Sequence, residues 1–338
     1  MTEPTVSAGF ARALMELAVS RGANQKMLAA RSGIDLAELQ DQDNRLPYGK
    51  YVALMRAGQE LCHDPALALH FGEAFDIDEL SIVGLIGRAS ETLADAFVQM
   101  NRYARLAVEV SLGSHDRYQL VRSGEQIWIV DTRTSPNEFP EMTESSFARM
   151  ACTSRRFFGE THFVRAVHVT HQEPAYLVEY DRIFGVPIVF GSDRNALLTD
   201  SGWLTCSSSP SPSRYVFGIL STRAEDLMKS LENSKSTRGR VESELLPTLH
   251  TGEAHMDTIA KRLGISRQTL FRKLKAEGFT FEKVLDELRH KLALHYLNGK
   301  KASVNETAYL VGFSEPAAFS RAFKRWTGLS PRMARLKD

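Results

Sequence analysis

The first two thirds of the chain carry two different hydrophobic periods. Apolar residues recur at helical spacing in segments 7–22, 24–31, 48–62 and 92–104. Short runs rich in Val, Ile, Tyr and Trp predict strands at 107–112, 117–121, 126–131, 163–170 and 186–190. The run 81–87 is almost entirely apolar, which indicates burial. We therefore expect residues 1–205 to form an α+β domain that begins with helices and contains a small antiparallel sheet.

Two polar stretches separate these elements from the rest of the chain. Residues 206–213 have the Ser- and Pro-rich composition of a linker, and residues 233–240 are polar and basic. Between them, 214–231 has an apolar stripe near a 3.5-residue repeat, which packs either on its own domain or on the same helix of a second subunit. We predict domains at 1–232 and 241–338, a linker at 233–240, and a candidate dimer helix at 214–231.

The C-terminal third contains one pattern twice. Residues 259–266 match residues that lie 48 positions later, so that Ser266 corresponds to Ser314. The second copy has one extra residue after Ser314, and the match up to Lys275 then continues at an offset of 49. Each copy has a small Ala in a first helix, a glycine turn at Gly264 or Gly312, and a second helix with an apolar stripe. Ser266 and Ser314 are predicted to cap the second helices. Two helices joined by a tight glycine turn are typical of helix-turn-helix DNA-binding units.

A long helix is predicted between the two copies. Apolar residues from Phe281 to Leu297 recur at helical spacing, and Ser303-Val304-Asn305-Glu306 has the capping-box pattern that opens the second copy. The C-terminal domain is therefore expected to be all-α, with a rigid helix holding the two second helices at a fixed separation. To enter successive segments of the same DNA groove, the two second helices must lie about 34 Å apart.

Charge is divided unevenly along the chain. Residues 236–338 contain 19 Lys and Arg against 11 Asp and Glu, whereas residues 1–235 contain 23 against 30. A basic module on an acidic body favours binding to a polyanion. The sequence has no apolar run long enough for a membrane span and no secretory signal pattern. Its three cysteines are widely spaced and odd in number, which fits a reducing compartment better than a disulfide framework. We therefore predict a cytoplasmic protein without a membrane partner.

Motifs for other chemistry are weak. The sequence has no G-x-S-x-G, Walker or G-x-G-x-x-G motif, so we predict no catalytic residues and no cofactor. His162, His168 and His171, with Cys152 or Cys206, are the strongest metal candidates. Because His168 and His171 would leave opposite faces of a strand, ordinary histidines are the favoured interpretation and we predict no metal site.

The paired motif resembles a known family. Residues 240–336 strongly resemble the DNA-binding domain of AraC/XylS-type bacterial transcription regulators, through both units, the connecting helix and the series Gly312-Phe313-Ser314, Phe319, Arg321, Phe323-Lys324, Gly328 and Ser330-Pro331. Residues 1–205 resemble more weakly the arabinose-binding-like sensing domain of a subgroup that includes ornithine-utilisation and mycobacterial virulence regulators. That weaker resemblance rests on the general pattern and on Leu93 and Arg102-Tyr103-Ala104-Arg105.

The resemblance implies that exposed residues early in each second helix contact bases. In the first copy these are Arg267, Gln268, Phe271 and Arg272, and in the second Glu315, Pro316, Ala317 and Arg321. Pro316 and Ala317 lack suitable donors, so the second helix is expected to depend on Arg321 and on DNA shape, and the first to dominate sequence choice. Phosphate contacts are expected from Lys273, Lys275, Lys324, Arg325 and Arg332.

We therefore expect a sequence-specific transcription regulator that binds double-stranded promoter DNA, RNA polymerase and a small-molecule effector. Two alternatives stay open: a ligand-independent architectural DNA-binding protein, and a metabolite-binding protein or enzyme with a basic appendage. The run 81–87, Trp128, Tyr103 and Phe147 are candidates to enclose the effector, but none is assigned to a binding site. The sequence identifies neither the effector nor the target genes, and it does not choose between activation and repression.

Overall fold

The computed structural model describes residues 3–112, 116–124, 126–158, 163–208, 213–251, 254–298 and 302–336. The chain divides into two compact units, unit 1 at Met1–Met228 and unit 2 at Lys229–Asp338. Within the described ranges, no helix combines the length and the apolar composition that crossing a membrane requires.

Unit 1 begins with helices, as predicted. Helices α1 to α10 span Ala8–Ser20, Gln25–Ser32, Tyr48–Cys62, Leu67–Ala74, Ile77–Leu80, Ile82–Ala89, Leu93–Ala107, Glu141–Phe158, Leu177–Phe184 and Arg214–Lys235. The apolar run 81–87 lies mostly in α6, where Val83 and Ile86 are buried. The predicted capping box opens α7, since the Asp95 amide donates to Thr92 Oγ1 at 3.1 Å.

Two sheets accompany these helices, and the α+β class is confirmed. Strands β1 (Thr5–Ser7) and β2 (Arg45–Pro47) form an antiparallel pair. The larger sheet contains β3 (Tyr118–Ser123), β4 (Gln126–Asp131), β5 (Val164–His168), β6 (Ile188–Val189) and β7 (Asn195–Asp200). Its spatial order is β3-β4-β7-β5-β6. It is mixed, because the short edge strand β6 pairs in parallel with β5. One face of this sheet packs on α8 and α9, around Phe147, Val167, Tyr180 and Leu197.

The strand predicted at 107–112 was wrong. Ala107 closes α7, and Val108 and Leu112 make only isolated bridges, to Val6 and Arg133. Val108 has an extended backbone, but the segment pairs only through single bridges to two different partners and so has no continuous strand partner.

The segment 233–240, predicted as a linker, is mostly helical in the structure. Helix α10 extends to Lys235, and Ser236 Oγ accepts from the Gly239 amide at 2.9 Å, capping α11 (Thr237–Leu245). Arg238 forms ion pairs with Glu242 at 2.7 Å and Glu287 at 2.9 Å. The polar composition therefore marks a charged helical surface. In the other predicted linker, residues 209–212 lie outside the described ranges.

Within its described residues, all the regular secondary structure of unit 2 is helical. After α11, helices α12 to α17 span Met256–Arg262, Arg267–Ala276, Phe281–Asn298, Val304–Leu310, Pro316–Thr327 and Pro331–Leu336. Its apolar side chains form two clusters, one around Ile259, Leu270 and Leu274 and one around Ala308, Phe319 and Phe323. Helix α14 supplies Val284 and Leu288 to the first cluster and Ala293 and Leu297 to the second. The predicted connecting helix is therefore part of both hydrophobic cores.

Candidate DNA-reading surface

Helix α13 presents an exposed polar and aromatic face. Ser266 caps it as predicted, since its Oγ accepts from the Thr269 amide at 3.1 Å. Leu270 and Leu274 lie four residues apart and are buried, which fixes the rotation of the helix about its axis. The remaining face exposes the four predicted base-contacting residues, Arg267, Gln268, Phe271 and Arg272. The Phe271 side chain is 52% exposed, so its ring remains open to a partner.

The two arginines of this face differ in their contacts. Arg267 Nη1 donates to Asp257 Oδ2 of α12 at 2.7 Å, and both side chains are more than half exposed. Solvent screens such a pair, so a DNA group can replace Asp257 at little cost. Arg272 has no ion pair or side-chain hydrogen bond with the residues that the structure describes. Its guanidinium is therefore available to a ligand without breaking an existing contact.

The second unit departs from the predicted capping. Its N-cap is Glu315, whose side chain makes no capping hydrogen bond, and Ser314 lies one residue earlier. The predicted Ser314 cap was wrong because the turn before α16 contains five residues, 311–315, where the turn before α13 contains four, 263–266. Pro316 occupies the first helical position and has no N–H group that needs a partner.

The helical start of α16 changes which residues correspond to the α13 face. Aligned at their first residues, the helices pair Arg267 with Pro316, Gln268 with Ala317, Phe271 with Ser320, and Arg272 with Arg321. Ser320 is partly exposed and was missed, because counting from Ser314 shifts the register by one residue. Glu315 precedes the helix and is exposed, as are Ala317 and Arg321, whereas Pro316 is partly buried.

An arginine on α14 holds the turn of the second unit. Arg289 Nε donates to the Val311 carbonyl at 3.1 Å, and its Nη2 donates to the Gly312 carbonyl at 2.9 Å. Its guanidinium carbon also lies 4.6 Å from the centre of the Phe313 ring. Burial lowers the pKa of this guanidinium, although an arginine stays charged near neutral pH. The cation thus binds carbonyl groups that the end of α15 leaves without helical partners.

The two turn glycines differ in their surroundings. Both have positive φ, 68° at Gly264 and 81° at Gly312. A Cβ atom on Gly312 would lie 2.3 Å from the backbone oxygen of Leu249, whereas a Cβ on Gly264 would meet no atom within 4 Å. The sequence pattern predicts a turn at both glycines, but only the fold shows the close contact between Gly312 and Leu249.

The five predicted phosphate-contacting residues are all exposed: Lys273, Lys275, Lys324, Arg325 and Arg332. Arg325 Nη2 donates to Asp286 Oδ2 of α14 at 2.6 Å. A phosphate oxygen would have to compete with this carboxylate for Arg325. The other four positions remain predictions without such a competing ion pair among the described residues.

The histidines considered as metal ligands have other contacts. The His168 ring lies 4.7 Å from the Trp128 ring, and His171 Nε2 lies 3.0 Å from the Tyr180 hydroxyl. His162 lies outside the described residues. Over the ranges that the structure describes, no three His, Cys, Asp or Glu side chains are grouped so that they could bind a metal ion.

Comparison with known proteins agrees with the two-unit organisation. Residues 22–208 match the arabinose-binding domain of AraC transcription regulator, N-terminal, and residues 259–337 match a helix-turn-helix domain. The chain is 27% identical to the ornithine utilization regulator of Pseudomonas aeruginosa over 334 residues, which cover 98% of this chain and 96% of that protein. It is 24% identical to the transcriptional regulator VirS of Mycobacterium tuberculosis over 302 residues, 87% of this chain and 85% of VirS.

A third relative matches over about a third of the chain. The transcriptional activator RhaS of Escherichia coli is 36% identical over 115 residues, 34% of this chain and 41% of RhaS. All three relatives are named regulators rather than enzymes. The N-terminal match alone covers more than half of the chain. The chain therefore belongs to the AraC family of DNA-binding transcription regulators.

Proposed function

We propose that this regulator recognises specific promoter sequences through α13 and α16, and that unit 1 senses a small molecule and mediates dimerisation. The observation that carries the proposal is the face of α13, where four exposed side chains suited to base contacts stand on a helix anchored by Leu270 and Leu274. RNA polymerase is the expected protein partner, since RhaS is a named activator, and the cytoplasm is the expected compartment.

Helix α13 is the stronger of the two sequence-reading elements in this proposal. Arg267 and Arg272 have the geometry to donate two hydrogen bonds to guanine, and Gln268 can pair with adenine. The exposed ring of Phe271 suits contact with a thymine methyl group. Each bidentate pairing is worth about 1–3 kcal/mol of discrimination between bases.

Helix α16 has fewer groups for base recognition. Pro316 and Ala317 offer only apolar contacts, so Arg321 carries most of the hydrogen-bonding capacity. Ser320, at the position that corresponds to Phe271, adds one hydroxyl group that can donate or accept. We expect this helix to contribute more through DNA shape and backbone contacts than through direct base recognition.

Replacing Arg272 with alanine should weaken binding to the preferred site by about 1–3 kcal/mol and relax the base preference at one position. Replacing Lys324 with alanine should instead weaken binding to all sequences alike and reduce the salt dependence, because phosphate contacts carry no sequence information. The preferred site is first selected from random DNA with the full chain. Affinities of both variants are then measured by fluorescence anisotropy at several salt concentrations.

Three outcomes would count against this assignment. A random-DNA selection that yields no motif would favour an architectural protein. Unchanged affinity and specificity in Arg272→Ala would remove that side chain from the base-reading set. A loss confined to particular sequences in Lys324→Ala would overturn its assignment to phosphate.

Helix α10 supports the dimerisation part of the proposal. Near its middle it is tied to α7, since Glu225 Oε1 accepts from Arg102 Nη2 at 2.5 Å and from the Tyr103 hydroxyl at 2.9 Å. Towards its N-terminal end it exposes Tyr215, Val216 and Ile219 by 78%, 45% and 53%. Exposed apolar groups on one helical face suit a contact with the same helix of a second subunit.

Replacing Ile219 with aspartate should therefore weaken self-association by about 2–3 kcal/mol, since it places a charge in an apolar contact. Sedimentation velocity over a range of protein concentrations measures the change. Val178→Asp provides the matched control, because Val178 is 75% exposed on α9, away from the proposed contact. If both variants associate like the unmodified chain, α10 does not form the dimer contact.

A further inference from the structure

Unit 1 contains a cavity of about 250 Å³ that is lined mainly by apolar side chains. Its wall combines residues of α6 and α7 with the larger sheet and α8, and includes Leu93, Phe97, Met100, Ile129, Phe163 and Trp203. Val83, Gly84 and Gly87 from the apolar run also line it, whereas the other predicted effector contacts do not. Trp128 alternates with the inward-facing Ile129 on β4 and so lies on the opposite face of the sheet. Tyr103 and Phe147 are buried elsewhere in the unit.

Arg117 is the first of two buried arginines in this apolar wall. It precedes β3, is 7% exposed, and lines the cavity. Its Nη2 donates to Ser146 Oγ at 3.3 Å, and its buried Nε has no hydrogen-bond partner among the described residues. Asp131, the nearby carboxylate, is already bound to Arg133 Nε at 2.9 Å. A buried guanidinium that lacks an ion-pair partner is unfavourable unless another anion compensates it.

Arg149 is the second, on α8 one turn beyond Ser146. It is also 7% exposed, and its Nη1 donates to the Phe75 carbonyl. The guanidinium carbon lies 5.0 Å from the Phe71 ring centre and 5.7 Å from the Phe10 ring centre. Burial lowers the pKa of this guanidinium to about 10, so it remains charged at neutral pH. Within the described ranges it makes no ion pair within 4.0 Å.

The carboxylates at the cavity have their own cations. Asp76 accepts from Arg156 Nη1 at 2.6 Å and from Thr153 Oγ1 at 2.5 Å. Asp78 pairs with Arg88 Nε at 2.6 Å. Neither Arg117 nor Arg149 therefore forms an ion pair with the residues that the structure describes, and both line a cavity whose other walls are mainly apolar. Burial opposes the charge on Arg117, but Tyr118 and Asp131 more than offset it and raise its pKa.

We propose that this cavity binds a monocarboxylate with an apolar body, its carboxylate held by Arg117, Arg149 and Ser146 and its body enclosed by the aromatic and methionine side chains. This inference rests on the proposed function of unit 1 as a small-molecule sensor and gives its ligand a chemical class. Paired guanidinium groups recognise a carboxylate through charge-assisted hydrogen bonds. A sugar would leave its hydroxyl groups facing apolar walls, which carry few partners for them.

Octanoate is the probe, and its binding to the full chain is measured by titration calorimetry. We expect saturable binding of octanoate, and no comparable binding of octanamide, which lacks the charge, or of acetate, which lacks the apolar body. Arg117→Met should weaken octanoate binding about tenfold or more, because a charged hydrogen-bonding partner is lost. The matched control is Arg122→Met, which changes an exposed arginine on β3, the strand that follows Arg117. This variant should bind octanoate normally.

Thermal unfolding of Arg117→Met without ligand tests whether the variant folds, because the guanidinium also lies 5.1 Å from the centre of the Tyr118 ring. A variant that is stable but does not bind identifies Arg117 as a ligand contact rather than a structural one. Should Arg117→Met fail to fold, Ser146→Ala must show the weakened octanoate binding instead.

Equal binding of octanamide, the absence of octanoate binding, or normal octanoate binding in the stable variants would overturn the proposal. Preferential binding of octyl phosphate over octanoate would also count against a carboxylate. Effector control is measured separately, as the change in DNA affinity on adding octanoate. Octanoate binding with unchanged DNA affinity would retain the ligand class and contradict the proposed sensing function.

Discussion

Replacing Gly312 with alanine should lower the free energy of unfolding of unit 2 by about 2–4 kcal/mol. Positive φ costs an alanine about 1 kcal/mol, and the backbone of Leu249 leaves no room for a Cβ. Moving Leu249, which is buried in the first hydrophobic cluster, would add an overpacking cost of about 1–3 kcal/mol. The variant should also lose most of its DNA affinity, since the turn that positions α16 is displaced.

Gly264→Ala is the matched control, because it has the same backbone conformation in open space. It should lose only about 1 kcal/mol. Urea unfolding of the full chain and hydrogen exchange over residues 304–327 measure both variants. Equal losses in the two variants would mean that the contact with Leu249 does not constrain the turn.

Unit 1 should lose about 3 kcal/mol of stability between about pH 4.5 and pH 7 because of Glu144. This carboxyl is 2% exposed, and burial raises its pKa to about 7 despite the hydrogen bonds that Tyr176 and Tyr180 donate to Oε1 at 2.8 Å each. Because the folded pKa is above the unfolded value, the contribution to stability is complete below about pH 4.5. It is lost as pH rises through the folded pKa, where the buried group ionises.

Glu144→Gln should remove this pH dependence, since the amide does not ionise and its oxygen can still accept from both tyrosines. The free energy of unfolding is measured by urea denaturation from pH 5 to pH 8 for the unmodified chain, for Glu144→Gln, and for Glu138→Gln as an exposed control. The nearby side chains of Glu141 and His171 are unchanged in all three proteins. A slope that persists unchanged in Glu144→Gln would assign the pH dependence to another group.

Parts of the fold could be predicted from sequence because they depend on local chemistry. The caps at Thr92, Ser266 and Ser303 follow from side chains that bind amides three residues away, and the paired glycines follow from the turns they permit. The segment 233–240 could not be assigned, because a polar stretch has the same composition in a linker and on an exposed helix. The Ser314 cap was wrong because one extra turn residue moves the helix start without changing the hydrophobic stripe.

The cavity could not be predicted, because its charged groups come from distant parts of the chain. Arg117 precedes a strand and Arg149 lies on a helix, and nothing in their local sequence distinguishes them from exposed arginines. Only the fold buries both beside the same apolar space. Trp128 illustrates the reverse error, since an aromatic residue in a strand gives no indication of which face of the sheet it occupies.

If α13 and α16 both contact the operator as proposed, the length of α14 sets the spacing of the two half-sites that this protein can recognise. Since its residues belong to both hydrophobic cores of unit 2, one inserted residue would advance the second helix-turn-helix unit by about 1.5 Å and rotate it by about 100°. A change in half-site spacing therefore requires a matching change in the number of residues in α14. Base preference, in contrast, can evolve by single substitutions on α13 without altering that spacing.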